Sequence, residues 1–285
     1  VDKILFSYTS ILVLFIGTRA SDVVDKNLQH SKSIIDWIRS NNGFFHSSLE
    51  MRHSDPSDLT SEFGMFSTAD IEEGTLLLSI PDDVILRSSD GEQTQCGLID
   101  AVLDEIGKGN ESAYGPYINY LTDAELSAGK VLSAWSDAGK EMLMRALGDE
   151  NFSTEDFEAG LSRQKRMRNI LPPTDPISWL YHSWWFDVCN GTDNGLDQHT
   201  AMTVLQRALD GTMIPLLDTM YHRNSQNSEL INTRSTNSGN SLNIYATQRI
   251  SFGEQIYSPL NRCRICVDDK LTTSSIFRAY GFVED

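Results

Sequence analysis

Residues 63–81 read FGMFSTADIEEGTLLLSIP and give the clearest structural pattern in the sequence. Residues 75–81 form an apolar run closed by a proline, a pattern typical of a buried strand. Residues 71–74 end in a glycine and predict the turn that enters this strand. The wider region 44–87 shows further short runs and turns, so we expect it to be β-rich.

An amphipathic helix is predicted before this region, over residues 24–40. The residues that share its apolar side are Ile34, Ile35, Trp37 and Ile38. The turn-forming residues 41–43, Asn-Asn-Gly, predict its end.

Helical patterns dominate after the β-rich region, from about residue 95 to residue 216. Three helices are predicted, the third over residues 200–220. Their apolar residues are, in order, Leu98, Ala101, Val102, Leu103 and Ile106; Val131, Leu132, Trp135, Met142, Leu143 and Leu147; and Met202, Leu205, Leu209 and Met213. The polar residues 224–243 predict an exposed loop or an edge hairpin. Residues 242–257 return to strand-like alternation.

This order predicts a sheet interrupted by a long helical insert at about residues 95–210. Such an arrangement is α+β, and it differs from a doubly wound α/β fold. The sequence also lacks the GxGxxG, GxxxxGK[ST], GxSxG and HExxH motifs. The common nucleotide-binding, hydrolase and zinc-protease classes therefore lose their strongest sequence support.

The composition is acidic. The chain has 285 residues, with 23 Lys and Arg against 40 Asp and Glu, for a net charge of −17. This balance argues against a nucleic-acid partner, because a phosphate backbone must be neutralised by basic side chains. A basic peptide partner and a merely soluble acidic surface both fit the charge.

The N-terminal residues 1–20 are predicted to be a secretory signal peptide, with the mature domain over residues 21–285. Lys3 precedes an apolar stretch, and small residues lead to a cleavage site after Ala20. The stretch is shorter than the ~20 apolar residues of a comfortable membrane span. We therefore expect the secretory pathway or the extracellular space, and no membrane association after cleavage. An N-terminal core helix or a membrane anchor is the alternative.

Sequons and cysteines agree with secretion. Sequons stand at residues 110–112, 151–153 and 190–192. The four cysteines, which allow three pairings, are Cys96, Cys189, Cys263 and Cys266. In a secreted chain, the CxxC spacing of the last two favours a local disulfide. Two free thiols are the alternative, and no metal site is expected, since a zinc site would need further ligands.

Several segments, in order along the chain, resemble motifs of the SET-domain protein methyltransferases. The likeness is to the split-SET branch that contains the plant RuBisCO large-subunit lysine methyltransferase. Residues 63–81 are similar to the family stretch GxGxxAtrdIxxGexllsiP. The other matching segments are residues 36–52, 114–121, 213–222, 253–257 and 280–284. The resemblance covers residues 33–285 and implies a β-rich SET domain split by a long helical insert.

The resemblance implies S-adenosylmethionine as the cofactor and a protein lysine as the methyl acceptor. Gly64 matches the second glycine of the family's GxG loop, and His222 matches the histidine of its Asn-His pair, so both are expected to bind the cofactor. Tyr280 matches the tyrosine that lines the lysine channel and is the expected catalytic residue. A packed histidine and a core aromatic are the alternatives for His222 and Tyr280.

The sequence departs from the family pattern at the expected site. Glu62 stands at the first glycine of GxG, and Tyr221 stands at the asparagine before His222. Trp184 replaces an expected arginine. The catalytic tyrosine position falls on Leu260, which has no hydroxyl; a shifted alignment would place Tyr257 there instead.

Two functions follow from this mixture. The first is a lysine methyltransferase with a weak or divergent site that acts on a protein substrate. The second is a catalytically inactive SET-like domain that binds a protein partner in the secretory pathway. If the chain is a minimal SET domain, the helical insert at residues 95–210 is expected to select the acceptor protein.

Overall fold

The structure is a computed structural model that describes residues 25–88, 95–123, 189–192, 194–209, 211–220 and 231–257. The helices in these ranges are α1 (Lys26–Ser40), α2 (Gln95–Lys108), α3 (Gly115–Thr122) and α4 (Gly195–Arg207). The strands are β1 (Phe44–Phe45), β2 (Leu49–His53), β3 (Phe63–Ser67), β4 (Leu76–Pro81), β5 (Leu86–Arg87), β6 (Thr212–Met213), β7 (Thr233–Ser238) and β8 (Ser241–Ala246). The predicted signal peptide and the predicted helix at 131–147 lie outside the described residues.

The first helix forms where the sequence predicted it. Asp25 is the N-cap, and its carboxylate accepts a hydrogen bond from the backbone N–H of Leu28 at 3.1 Å. The isoleucines of the predicted apolar side are buried: Ile34, Ile35 and Ile38. Trp37 is partly buried, with its ring centroid 6.0 Å from that of Tyr114. The helix thus begins at Lys26 and lays its apolar side on the core.

The predicted buried strand, β4, lies inside the largest sheet. That sheet has four antiparallel strands in the order β1-β4-β8-β7. Leu77, Leu78 and Ile80 of β4 are all 1% exposed or less. Strands β2 and β3 form a separate hairpin, and β5 pairs with β6. The continuous apolar run of β4 therefore reflects a strand that is covered on both faces.

The helices pack beside these sheets, with α1 against α3 and α2 against α4. Buried side chains of the helices and of the strands form one hydrophobic cluster. Its largest fully buried members include Tyr117, Met65, Met213 and Leu98. Helices and sheets therefore share a core, and the α+β fold class is confirmed. The helices α2, α3 and α4 fall within residues 95–210, while the bounds of the insert stay a prediction.

The predicted helix over 200–220 is wrong in its second half. Helix α4 ends at Arg207, because Ala208 is extended with ψ near 138°. Gly211 then adopts a positive φ of 74°, and Met213 pairs with Leu86 as strand β6. Met202 and Met213 are both buried. The apolar pattern therefore predicted burial correctly, although the backbone changes from helix to strand between these residues.

The polar segment contains the predicted edge hairpin. Strand β7 lies at the edge of the sheet and turns into β8 at residues 239–240. The strand-like pattern of 242–257 is only partly correct, since β8 ends at Ala246. Single bridges follow, from Ile250 to Ile71 and from Gln255 to Phe66.

One disulfide links α2 to the segment that precedes α4. Cys96 of α2 is bonded to Cys189, and their Cα atoms are 5.1 Å apart. This bond leaves one of the three pairings for a fully oxidised chain, the one that joins Cys263 to Cys266. Those two residues lie outside the described residues, so the local disulfide stays a prediction. No helix in the described ranges is both long and apolar enough to cross a bilayer.

Candidate functional site

Gly64 lies in the β2–β3 hairpin, at the centre of the stretch that resembles the family's cofactor loop. It is buried and pairs with Arg52 of β2. Glu62, directly before β3, is exposed, and its carbonyl accepts a hydrogen bond from the N–H of Ser54 at 2.7 Å. The backbone at Gly64 is therefore fixed by the hairpin register.

The loop between β2 and β3 is ordered by short polar contacts. Asp55 accepts hydrogen bonds from the N–H and hydroxyl of Ser57, and Asp58 accepts the same pair from Thr60. These side-chain and backbone hydrogen bonds lower the pKa of both carboxyls. The two aspartates thus close local turns instead of projecting toward Gly64.

His53, the last residue of β2, contacts the same loop. It is 4% exposed, and its Nδ1 lies 2.8 Å from the carbonyl oxygen of Ser61. Its Nε2 lies 3.4 Å from a carboxylate oxygen of Asp25, the N-cap of α1. The buried histidine therefore connects the start of α1 to the residues that lead into β3.

The free edge of β3 is covered by a segment from the far end of the chain. The N–H of Ser67 donates to the carbonyl of Glu254 at 2.9 Å, and the N–H of Ile256 donates to the carbonyl of Met65 at 2.8 Å. Residues 254–256 thus lie beside Gly64's strand. In the family pattern, the motif with the methyl-transfer tyrosine directly follows this segment.

Asn232 fixes the end of that segment, and sequence reasoning missed it. It is 1% exposed; its amide donates to the carbonyl of Gln255 at 2.7 Å and accepts from the N–H of Tyr257 at 3.0 Å. Thr233 donates its hydroxyl to the Tyr257 carbonyl at 2.5 Å. The Tyr257 hydroxyl lies 3.3 Å from Oε1 of Gln255. A lone Asn before a polar hairpin carries no sequence signal for this role.

A buried polar cluster supports the turn that leads toward His222. Asp218 lies in the 3₁₀ turn Leu217–Thr219, which contacts β3, and its side chain is 1% exposed. Its carboxylate accepts hydrogen bonds from the Tyr117 hydroxyl at 2.8 Å and from Arg207 at 3.2 Å. Arg207 also donates to the Tyr120 hydroxyl at 3.0 Å. The cluster therefore ties α3 and α4 to this turn.

Burial sets the protonation behaviour of the cluster. Desolvation raises the pKa of Asp218, and the adjacent Arg207 charge opposes that rise. Desolvation, together with the Asp218 charge, raises the pKa of Tyr117 well above its ordinary value, so its hydroxyl keeps the proton that it donates. Such a buried pair acts as a structural support, since a charge without a partner would be costly there.

The structure brings together three parts of the predicted site: Gly64, the turn before Tyr221 and His222, and the segment before Leu260. Of the three residues predicted to bind the cofactor or take part in catalysis, Gly64 is among those described, as are Glu62 and Tyr257 of the positions that depart from the family pattern. His222, Tyr280, Tyr221, Trp184 and Leu260 lie outside the described residues, so their roles stay predictions. The sequence did not predict the structural role of Asp218, although this residue lies within 213–222, one of the segments that resemble family motifs.

Comparison with known families identifies the family of this chain. The sequence matches the SET domain family over residues 62–258, which is more than half of the chain. The chain belongs to the SET domain family, and the predicted family and α+β fold class are confirmed. A search of curated proteins by sequence found no match.

Solved structures of similar fold include those of LSMT. The SET domain of LSMT bound to lysine and AdoHcy has a TM-score of 0.55 at 14% identity, covering 90% of this chain and 57% of that chain. Rubisco LSMT bound to AdoMet has a TM-score of 0.55 at 14% identity, covering 90% of this chain and 56% of that chain. Rubisco LSMT bound to sinefungin and monomethyllysine has a TM-score of 0.54 at 14% identity, covering 90% of this chain and 56% of that chain. At this identity the likeness concerns the fold, and this chain spans little more than half the length of those chains.

Proposed function

We propose that this chain is an S-adenosylmethionine-dependent protein-lysine N-methyltransferase of low activity. The observation that carries the proposal is the packing of β3 against both residues 254–256 and the turn Leu217–Thr219. In the family pattern, β3 carries part of the cofactor loop, residues 254–256 precede the methyl-transfer tyrosine, and the turn precedes the Asn-His pair. The similar LSMT structures were solved with AdoMet, AdoHcy and lysine.

The described residues offer polar groups that fit a polar cofactor. Asp218 Oδ1, an acceptor, and Gln255 Nε2, a donor, are buried and have no hydrogen-bond partner. They belong to the two segments that pack against β3, the strand that contains Gly64. Gly64 and His222 are the residues proposed to hold the cofactor, whose sulfonium supplies an electrophilic methyl group.

The chain's own part in the reaction is to position the acceptor lysine and to let its amine lose a proton. Tyr280 is proposed to line the lysine channel. Leu260 cannot donate or accept a hydrogen bond at the position where the family has a tyrosine. Because positioning and fixed dipoles carry most of such a reaction, the missing hydroxyl is expected to slow methyl transfer rather than cofactor binding.

Calorimetric titration of S-adenosylmethionine into the chain from Ser21 tests the first half of the proposal. We expect saturable binding with a stoichiometry of one. Weaker binding by Gly64→Val, with far-UV circular dichroism unchanged, would locate the cofactor at β3. Failure of a folded sample to bind at any attainable cofactor concentration would refute the methyltransferase.

A matched pair of variants tests the second half. Leu260→Tyr and Leu260→Phe differ only in the hydroxyl. If the site otherwise retains the family chemistry, Leu260→Tyr should raise lysine methylation of a peptide library by about 10²-fold or more, the range for a well-placed acid-base or hydrogen-bonding group. Leu260→Phe should leave it unchanged. Equal rates for both variants and the unmodified chain would contradict the assigned position.

A non-catalytic, partner-binding SET domain is the second candidate. The replacements at Glu62, Trp184, Tyr221 and Leu260 favour it, because they cluster at the expected cofactor and methyl-transfer positions. Under this alternative the chain binds a protein without binding S-adenosylmethionine. Two results together would favour this alternative over the methyltransferase. The unmodified chain and Gly64→Val would bind the same partner protein, and titration of S-adenosylmethionine would give no heat of binding.

We also propose that the chain enters the secretory pathway. The Cys96–Cys189 disulfide supports this, because such bonds persist in oxidising compartments and are rare in the cytosol. A methyltransferase there would depend on transported S-adenosylmethionine. Fractionation of cells that express a C-terminally tagged chain should recover it in the lumen or the medium, and recovery in the cytosol would contradict the proposal.

A further inference from the structure

All three sequons of the chain lie within residues 95–210, the range of the predicted helical insert. They stand at residues 110–112, 151–153 and 190–192, and none falls in the strands β1 to β8. The first and third are within the described residues. We propose that Asn110 and Asn190 carry N-linked glycans, an inference that rests on the proposed secretory location and is independent of methyl transfer.

Asn110 lies on the surface turn between α2 and α3. It is exposed, within the 3₁₀ turn Gly109–Glu111, and Gly109 has a positive φ of 54° that turns the chain outward from α2. Ser112, the third residue of the sequon, donates its hydroxyl to Glu105 at 2.6 Å. The acceptor amide is therefore at the solvent face of a turn whose other side is anchored to α2.

Asn190 lies directly after the disulfide. It is exposed and has a positive φ of 52°, a conformation that asparagine tolerates better than most residues. Thr192 of the same sequon is also exposed, and its hydroxyl donates to Asp197 in the first turn of α4. Since Cys189 is bonded to Cys96, the glycan would lie beside the bond that links α2 to the segment before α4.

The disulfide and the glycans call for the same compartment. Forming the Cys96–Cys189 bond removes two electrons and two protons from the thiols, which a disulfide-forming oxidant of the secretory pathway accepts. In glycan transfer the asparagine amide nitrogen displaces the diphosphate of a lipid-diphosphate-linked oligosaccharide. The N–C1 bond forms, the C1–O bond to phosphate breaks, and the amide loses one proton as the lipid diphosphate leaves.

Glycans at these positions would also restrict the surface available to a protein partner. They are bulky and solubilising, and Asn110 and Asn190 flank α2 and α4, which pack together. The strands β1 to β8 contain no sequon, so neither glycan would be attached to them.

The test is site-resolved mass spectrometry of the full chain made in a eukaryotic secretory line. The chain is expressed with its own N-terminal segment after an initiator methionine, and again behind a heterologous signal peptide. Peptide N-glycosidase in heavy-oxygen water converts each glycosylated asparagine to labelled aspartate. We expect label at Asn110 and Asn190 in both preparations. Unlabelled asparagine at both sites in the lumenal, disulfide-bonded chain overturns the proposal, whatever is found at residue 151.

Matched variants separate the sequon from folding. Thr192→Ser keeps the sequon and Thr192→Ala removes it, while Ser112→Thr and Ser112→Ala do the same at the other site. We expect the first member of each pair to keep the label and the second to lose it at its own site only. Label that persists in Thr192→Ala or Ser112→Ala would show modification without a sequon and contradict the assignment. None of these readouts depends on S-adenosylmethionine, so a failed methyltransferase assay leaves them intact.

Discussion

Removing the Cys96–Cys189 disulfide should lower the stability of this chain more than most single changes. The two cysteines are 93 residues apart in sequence. In the chain-entropy estimate, cross-linking a loop of about 100 residues constrains the unfolded chain by about 4.7 kcal/mol, and measured effects are commonly about 2–4 kcal/mol. We therefore expect the double variant Cys96→Ser, Cys189→Ser to lose about 2–4 kcal/mol of unfolding free energy.

Urea unfolding followed by far-UV circular dichroism measures this loss. For a urea dependence of about 2 kcal/mol per molar, the midpoint should fall by about 1–2 M. The slope should also rise, because the unfolded chain without the cross-link exposes more surface. Adding reductant to the unmodified chain should move its midpoint toward that of the double variant.

The matched control is Cys263→Ser with Cys266→Ser, which leaves the long loop closed. It should keep a high midpoint without reductant and lose it with reductant. Equal midpoints for the unmodified chain and the Cys96, Cys189 double variant would refute the reasoning. So would a non-reducing peptide map without a peptide linked through these two cysteines.

Three further changes test the packing. Gly43→Ala should destabilise the chain by about 1–3 kcal/mol, because its Cβ would lie 2.8 Å from the Ile38 carbonyl oxygen, and urea unfolding measures the loss. Tyr117→Phe should cost about 1.5–3 kcal/mol in the same assay, because it removes a hydrogen bond to the buried Asp218 carboxylate. Burial opposes ionisation of Glu105, yet its hydrogen bonds outweigh burial and lower its pKa, so its ionised form stabilises the fold above its ordinary pKa. That contribution is lost as the pH falls below about 4.3, so Glu105→Gln should destabilise the chain at pH 7 and match it at acid pH.

Controls for these changes come from the same structure. Gly115→Ala, whose Cβ would meet no atom within 4 Å, should be close to neutral. Tyr120→Phe should cost less than Tyr117→Phe, since its hydroxyl contacts the partly exposed Arg207 instead of the buried carboxylate. Equal losses for the two glycine variants would contradict the close-approach argument. A difference between Glu105→Gln and the unmodified chain that persists at acid pH would contradict the assigned pKa direction.

Local sequence patterns predicted the elements in which most apolar residues of the pattern are buried along the whole element. The apolar run of β4 and the isoleucines of α1 fall into this class, because period and burial agree along each element. The pattern at 200–220 misled for a physical reason. Met202 and Met213 both enter the core, but one does so from a helix and the other from a strand that pairs with β5. A shared apolar pattern indicates which residues are buried, but it does not indicate whether they belong to a helix or to a strand.

The candidate site was only partly visible in the sequence. Gly64 could be named because its motif is local, and the order of the motifs indicated the family that the profile match confirms. Asn232 could not be predicted as part of the site, because its role depends on hydrogen bonds to Gln255 and Tyr257, which are more than 20 residues away in sequence. Asp218 likewise depends on Tyr117, which is 101 residues away.

The sequence by itself determined the acidic composition, the sequons, the β4 strand, the α1 helix and the order of family motifs. Each is a property of composition or of neighbours within a few turns of chain. The tertiary structure alone decided which segment covers β3, which tyrosine contacts Asp218 and which of the three other cysteines is bonded to Cys96. Those outcomes depend on contacts between residues far apart in the chain, such as Ser67 and Glu254 at a separation of 187, and local patterns do not encode such contacts.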